Sequence, residues 1–382
     1  MDYPVILHIL SYDHEKLHIL VSKSLSEYSS GNKPFKRLPI SLLVRMNIFR
    51  EYTAVLFSAR FKSSLCRISA RLSNLDALYW ARNRECHAIT ADVSFSSRTM
   101  NASQEQCPWD SATCLHLARH GNLLTLQWAR SQGCPWDVST CSSAACGGHI
   151  EILQWARSQG CPWDCKTCTF AVSYGHLAIL QWARSEGCPW DDTTTCANAA
   201  LHGHLAILQW ARSQGCSWDT ITCSNAAMVG NLAVLQWARG QGCPWNYETC
   251  SNAAFGGHLT LLQWARSQGC PWNSQTCSSS AYGGHLGVLQ WARSQGCPWD
   301  TYTCYHAALS NNFEILQWAK GQGCPWDGTT CSIAAYNGNL ALLQWAREQG
   351  CPWDSRTCSL AIQNGHQDVL QWARAQGCPE NV

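Results

Sequence analysis

The sequence predicts an all-α solenoid, in which short helix pairs stack on one another and short turns join them. The tripeptide Leu-Gln-Trp recurs ten times at a spacing of 27 residues, with one spacing of 28 where Asp191 and Asp192 add a residue. The tripeptide Cys-Pro-Trp recurs in step, with Ser217 replacing proline once. These copies and Trp80 account for all 21 tryptophans. A single dominant period is typical of a repeat protein.

Residues 140–164 illustrate the elements of one repeat. Thr140–Ala145 predicts a short first helix that Thr140 caps and Gly148 ends. His149 then opens a second helix, whose leucines, alanine and tryptophan form a broad apolar sector, and Gly160 stops it. Cys-Pro-Trp-Asp turns the chain into the next repeat, since proline fixes φ and lacks a donor. Two tryptophans cannot offset the entropy of ordering 27 residues, so each repeat must stack on its neighbours.

The array has a boundary on its N-terminal side. Cys66, Ala70 and Leu78 recur at the offsets of their counterparts in the regular repeats, so a degenerate repeat precedes the array. We therefore predict three segments: an N-terminal helical region at 1–60, a degenerate repeat with an irregular insert at 61–106, and ten repeats at 107–382. Residues 1–86 carry 13 Lys/Arg and 7 Asp/Glu, which makes this part distinctly basic.

Composition limits the classes of function. Charged residues make up 14% of the chain and the net charge is +2, so no overall field recruits nucleic acid or an anionic membrane. No secretory signal pattern or long apolar run is visible, which favours the cytoplasm or nucleus, where the 25 cysteines stay reduced. No nucleophile–base pair, carboxylate pair or phosphate-binding loop stands outside the repeat consensus. We therefore expect a non-enzymatic protein with no cofactor.

The repeat resembles the ankyrin repeat. Gly203–Arg212, followed by Gly215–Asp219, is similar to the second helix and exit of that family, and Ala199-Ala200 matches its paired alanines. An ankyrin repeat has about 33 residues, so about six are missing here where the family carries a β-hairpin finger, and the T-P-L-H tetrapeptide is absent. Similar short Cys-Pro-Trp repeats occur in large DNA viruses, algae and oomycetes, and for a viral protein the compartment would be the host cell. The resemblance implies an ankyrin-like solenoid with short turns in place of fingers, acting in protein–protein interaction.

The position after the paired alanines varies most informatively. In ankyrin repeats this position lines the concave binding face, and here it carries six consecutive large apolar residues. We call them the stripe: Leu201, Met228, Phe255, Tyr282, Leu309 and Tyr336. Enrichment in aromatic residues and methionine is typical of interface cores, so the stripe is the candidate partner-binding surface, with Tyr247, Tyr302 and Arg356 at its rim. Local packing over the helix ends is the alternative.

The N-terminus resembles a degenerate F-box, which would dock the adaptor of a cullin-type ubiquitin ligase. The matching residues are Pro4, Ile6, Leu7, Ile9, Leu10, Leu17 and Val21. The match covers about 25 residues and lacks the leading leucine of the family pattern. The alternative is a helical cap that shields the end of the repeat array, which repeat proteins require.

Three further recurring residue types are interpreted as structural. The cysteines align with small core positions, and only Cys165 and Cys168 have zinc-like spacing, without a second pair. The histidine of His149 and its equivalents exchanges with asparagine, which indicates hydrogen bonding at a helix start. The arginine that closes each Gln-Trp-Ala-Arg is expected to pair in part with the aspartate after Cys-Pro-Trp. A nucleic-acid-binding solenoid that uses this arginine row is the remaining alternative.

Overall fold

The computed structural model describes residues 66–71, 78 and 109–379. In these residues the secondary structure is helical, and turns rather than strands join the helices. The predicted all-α fold of stacked helix pairs is therefore confirmed. The segments joining the repeats are short and irregular, as expected for turns in place of hairpin fingers. The predicted boundaries at 60/61 and 106/107 lie outside the described residues.

Ten helix pairs occupy residues 111–375, and each pair is one repeat. The pairs of repeats 1–5 are α1 Ser111–Arg119 and α2 Leu123–Ser131, α3 Val138–Gly147 and α4 Ile150–Ser158, α5 Cys165–Ser173 and α6 Leu177–Ser185, α7 Asp192–Leu201 and α8 Leu205–Ser213, α9 Thr220–Met228 and α10 Leu232–Gly240. The pairs of repeats 6–10 are α11 Tyr247–Phe255 and α12 Leu259–Ser267, α13 Ser274–Gly283 and α14 Leu286–Ser294, α15 Thr301–Leu309 and α16 Phe313–Gly321, α17 Gly328–Tyr336 and α18 Leu340–Glu348, α19 Ser355–Gln363 and α20 Gln367–Ala375. Odd-numbered helices are the first helices of their repeats and even-numbered ones the second. Among the described helices, none has both the length and the apolar character needed to span a bilayer.

The chain divides into two compact units, residues 1–170 and 171–382. In the first unit, α1 packs directly on α3. In the second unit, each first helix from α7 to α17 packs on the next first helix, and each first helix from α7 to α19 packs on the second helix of its own repeat. Consecutive second helices approach one another less closely than the first helices do.

The core of each repeat is built from small side chains. In repeat 6 the buried residues are Cys250, Ala253, Ala254, Leu261, Leu262, Ala265 and Cys270. Alanine and cysteine on the first helices let neighbouring backbones approach, and leucine fills the space beside the second helix. Cys66, Ala70 and Leu78 are fully buried as well, as expected if they belong to a degenerate repeat.

The first helices are capped by the aspartate or asparagine after the tryptophan. In repeat 2 the Asp137 carboxylate accepts a hydrogen bond from the Ser139 N–H at 2.9 Å, and hydrogen bonding from the Ser139 side chain lowers the pKa of Asp137. The prediction that Thr140 is the cap is therefore wrong. The helix begins at Val138, and Thr140 lies inside it, fully buried. Aspartate is the stronger cap here because a carboxylate also interacts favourably with the helix dipole.

A histidine joins each of several repeats to the repeat before it. His258 Nε2 lies 3.1 Å from the Met228 carbonyl oxygen, and since a carbonyl can only accept, Nε2 carries the proton. The ring fits into the room left by Gly230, whose φ is +73°. We predicted hydrogen bonding at the start of the histidine's own helix, which is wrong for His258, because its side chain makes no cap bond there. Asn231, in contrast, caps its own helix through the Val234 N–H at 3.0 Å.

Repeat 8 has a variant of this contact. Asn311 has a φ of 61° and occupies the position that glycine holds in the other repeats. Its side-chain oxygen accepts a hydrogen bond from Asn339 of the following repeat at 2.6 Å. Asparagine tolerates the left-handed conformation better than other side chains. Asn339 stands where several other repeats have histidine.

Candidate protein-binding surface

The stripe residues lie at the C-terminal ends of six first helices, from α7 to α17. Leu201, Met228 and Leu309 are half-buried, and the three aromatic residues are more exposed. The exposed fractions are 40% for Phe255, 45% for Tyr282 and 44% for Tyr336. Each of the three aromatic side chains is thus partly packed against the protein and partly exposed to solvent.

Five aromatic rings form a connected cluster in repeats 6–8. Phe255 and Tyr282 of the stripe stack with ring centroids 5.6 Å apart, and Tyr282 lies 5.4 Å from His306. His306 in turn lies 5.2 Å from Tyr305 and 6.2 Å from Tyr302. We call Phe255, Tyr282, Tyr302, Tyr305 and His306 the aromatic cluster. It extends the stripe from the C-terminal ends of α11 and α13 to the N-terminal end of α15.

Tyr305 and His306 are not among the residues predicted from the sequence. These two positions follow the first-helix cysteine, where the neighbouring repeats carry Ser278 and Ser251 in place of the tyrosine. A tyrosine and a histidine at positions that are otherwise mainly small or polar were the available signal. Burial lowers the pKa of His306, so the ring is neutral at physiological pH, and its Nδ1 is buried without a hydrogen-bond partner.

The three predicted rim residues have different surroundings. Tyr302 is 61% exposed and belongs to the aromatic cluster. Tyr247 is exposed at the start of α11. Arg356 is held by its own helix cap, since its guanidinium donates two hydrogen bonds to Asp354 at 2.7 and 2.9 Å. Of the three, Tyr302 is thus joined by ring contacts to the stripe.

The arginine row is not paired with aspartate in the way we predicted. Arg266 lies over the ring of Trp272, 4.1 Å from the centroid, and donates a hydrogen bond to the Cys270 carbonyl. The same cation–π contact recurs through nine repeats, with Lys320 in one of them. The aspartates after tryptophan point instead to the next first helix, as Asp300 does at the Tyr302 N–H. The arginines therefore serve the exit turns.

An exit tryptophan links two repeats at several places within each unit. Trp272 accepts the arginine of repeat 6 on its face and packs edge-to-face on Trp291 of repeat 7, with centroids 5.9 Å apart. Trp218 makes the equivalent contacts even though serine replaces the preceding proline. Aromatic pairs of this geometry contribute about 0.5–1.5 kcal/mol beyond their buried area. The second helices are thereby connected through side chains.

Two shallow grooves lie between neighbouring second helices. One, of about 290 Å³, is lined by Gln263, Arg266, Ser267, Trp272, Trp291 and Gln295. The other, of about 470 Å³, is lined by Gln344, Arg347, Glu348, Trp372 and Gln376. Small-molecule sites are mostly apolar and well enclosed, whereas polar side chains form the majority in both of these linings. The exposed aromatic surface of the first helices is the stronger candidate.

The cysteine classes occupy the core, as predicted. Cys141 and Cys161 are fully buried, and so are their equivalents in the other repeats apart from the slightly exposed Cys378. On α5, Cys168 is buried and Cys165 is exposed. The seven F-box-like residues between Pro4 and Val21 lie outside the described residues.

Among known proteins, the chain matches solved structures. No protein-family model matches the sequence, and no curated protein matches it. One of the matching solved structures is the human ASB11 ankyrin repeat domain, which is 15% identical in sequence. The match covers 46% of this chain and 96% of that chain, with a TM-score of 0.37.

Proposed function

We propose that this chain is a protein–protein interaction scaffold that binds its partner through the stripe, with the aromatic cluster as the centre of the contact. The observation that carries the proposal is the connected row of half-exposed aromatic side chains on consecutive first helices. Phe255, Tyr282 and Tyr336 are between 40% and 45% exposed, although nearby positions on the same helices are filled by buried alanine.

The energetics favour this surface as an interface. Aromatic residues are over-represented among the few interface positions that contribute most binding energy, because they bury a large area with little loss of side-chain freedom. Tyr282 is already fixed between Phe255 and His306, so binding would immobilise it at little further cost. The close packing of the first helices also supports a binding face on their side of the repeats, as the resemblance to ankyrin repeats implies.

A protein partner accounts for these features better than a nucleic acid does. The arginine row is engaged with tryptophan rings and cysteine carbonyls, and each side chain retains only part of its donors for a phosphate. Binding through the stripe should depend little on salt, whereas a nucleic acid held by many arginines dissociates steeply as salt rises.

The test is affinity purification of the full-length chain from eukaryotic cells, followed by mass spectrometry. We expect Phe255→Ala with Tyr282→Ala to abolish recovery of the main partner. Leu124→Ala, which truncates an apolar side chain of 80% exposure on the second helix α2, is the matched control and should leave recovery unchanged. Equal loss in both variants, or a partner released by nuclease or moderate salt, would refute binding through the stripe.

The F-box-like N-terminus supports a narrower version of this proposal, in which the repeats select substrates for a ubiquitin ligase. Leu7→Asp with Leu10→Asp in the full chain should then remove the ligase adaptor and cullin while the stripe-bound partner is retained. If neither subunit is recovered with the wild-type chain, the N-terminus acts as a cap and the array alone binds.

A further inference from the structure

The two cysteine classes come together inside nine of the ten described repeats, which the sequence spacing did not reveal. One cysteine lies on the first helix and the other stands 20 residues later at the exit turn. In repeat 1 the Cys114 thiol lies 3.3 Å from the Cys134 sulfur. Thiol–thiol hydrogen bonding recurs in eight further repeats: Cys141 with Cys161, Cys196 with Cys216, Cys223 with Cys243, Cys250 with Cys270, Cys277 with Cys297, Cys304 with Cys324, Cys331 with Cys351 and Cys358 with Cys378.

The backbone around each pair fixes the two sulfurs. In repeat 7 the Cys297 thiol donates to the Asn273 carbonyl at 3.4 Å, and the Cys277 thiol approaches the Cys297 carbonyl at 4.0 Å. Asn273 is the cap residue of the first helix that carries Cys277. The pair thus joins the start of a repeat to its own exit turn, and the same arrangement recurs along the array.

The two thiols of a pair differ in acidity. Hydrogen bonding to Cys297, together with burial, raises the pKa of Cys277, whereas hydrogen bonding to Cys277 lowers the pKa of Cys297. Since the thiolate is the reactive form, Cys297 is the thiol of this pair that reacts first. Opening of the exit turn would uncover both sulfurs, because the thiol of Cys297 at the turn contacts the thiol of Cys277 on the first helix.

We propose that these pairs are redox modification sites, at which a peroxide converts the two thiols of a repeat into an intra-repeat disulfide. The two thiols of a pair are the only side chains that the reaction requires, and such a pair recurs in nine repeats. The two cysteines of a pair are nearest neighbours, so the first oxidised sulfur meets its partner before any other thiol.

The chemistry balances with hydrogen peroxide as the oxidant. One thiolate attacks a peroxide oxygen, the O–O bond breaks, and a sulfenic acid and one water form. The second thiolate attacks the sulfenic sulfur, the S–O bond breaks and a second water leaves as the S–S bond forms. Two thiols and one peroxide therefore give one disulfide and two waters. Each disulfide closes a loop within its own repeat and leaves neighbouring repeats unlinked.

Tryptic mapping of the full-length chain tests the pairing. The protein is oxidised with hydrogen peroxide, and the remaining thiols are alkylated in denaturant before digestion. Cleavage after arginine and lysine places Cys277 in the peptide 267–293 and Cys297 in the peptide 294–320. Intra-repeat disulfides therefore join consecutive peptides, whereas pairing of Cys270 with Cys277 stays inside one peptide.

We expect joined consecutive peptides, a loss of two hydrogens per pair, and a rise in the denaturation midpoint that dithiothreitol reverses. Cys277→Ala should separate the peptides 267–293 and 294–320 and leave the other links intact. Cys165→Ser, which removes an exposed thiol outside the pairs, should change nothing. The proposal is overturned if peroxide leaves the peptides unlinked, if disulfides form mainly within single peptides, or if the thiols are protected by a bound metal without loss of hydrogen.

Discussion

The contact between histidine and glycine across neighbouring repeats can be measured with two matched glycines of repeat 5. Gly230 and Gly242 both have positive φ, +73° and +82° respectively. A Cβ added at Gly230 would lie 2.5 Å from Nδ1 of His258 in repeat 6, whereas a Cβ at Gly242 would meet nothing within 4 Å. Both alanine variants therefore strain the backbone, but only Gly230→Ala displaces the histidine.

The expected loss of stability is the sum of the backbone strain and, for Gly230→Ala, the lost hydrogen bond. A left-handed conformation costs an alanine about 1–2 kcal/mol, so Gly242→Ala should lower the free energy of unfolding by about that amount. Gly230→Ala also breaks the hydrogen bond from His258 to the Met228 carbonyl, which adds about 1 kcal/mol. We therefore expect a loss of about 2–3 kcal/mol for Gly230→Ala.

Urea denaturation followed by tryptophan fluorescence gives the two free energies. The same pair of variants in a His258→Ala background completes a double-mutant cycle. In that background the alanine at 230 should cost no more than the alanine at 242, because the ring it displaces is gone. Equal costs for the two variants in the wild-type background would refute a stabilising role for the cross-repeat contact.

Three further predictions concern single side chains. Thr249→Val should raise the free energy of unfolding by about 1 kcal/mol, because the buried hydroxyl has no hydrogen-bond partner. Ser251→Ala, which removes a bonded hydroxyl from the same helix, should not, and a gain in both variants by urea denaturation would contradict this. Arg266→Met should lower the free energy of unfolding by about 1–2 kcal/mol through loss of its contact with Trp272 and of one hydrogen bond, and an unchanged urea midpoint would exclude that contribution. The pKa of His306 is lower in the folded chain than in the unfolded chain. Because the unfolded chain is therefore protonated first, the free energy of unfolding should fall as the pH drops below about 6.5. In urea denaturations over a pH series, His306→Gln should remove part of that fall, and an identical pH dependence in the two proteins would contradict this.

The regular spacing of residues was enough to predict the helix pairs, because a residue with positive φ follows each described helix from α1 to α20, and this residue is glycine everywhere except at Asn311. Contacts between positions far apart in the sequence were harder to predict. Cys277 and Cys297 each fit a small core site, but spacing alone does not show that the exit turn folds back onto the first helix. Thr276 and Asn273 could both cap a helix, and three-dimensional structure was needed to decide between them.

The candidate site was predicted in part for a related reason. Comparing one position across the repeats finds Tyr282 and Phe255, because both are large aromatic residues at the same position of the repeat. Tyr305 and His306 occupy other positions of the repeat and reach the stripe only through packing between α13 and α15. A surface built from different repeat positions becomes visible only in the three-dimensional structure.

The pairing of Asn311 with Asn339 bears on how such an array can grow. Recombination can insert or delete whole repeats. At each new junction, the residue at the glycine position of one repeat must then fit the residue that follows the glycine position of the next repeat. A glycine accepts either histidine or asparagine from the next repeat, as Gly230 and Gly203 do, so most junctions tolerate exchange. The junction after repeat 8 is more selective, because a histidine arriving there would meet the side chain of Asn311. Among the described repeats, one inserted after repeat 8 should therefore carry asparagine at this position, as Asn231 and Asn312 do, so the sequence of repeat 8 restricts which repeats can follow it.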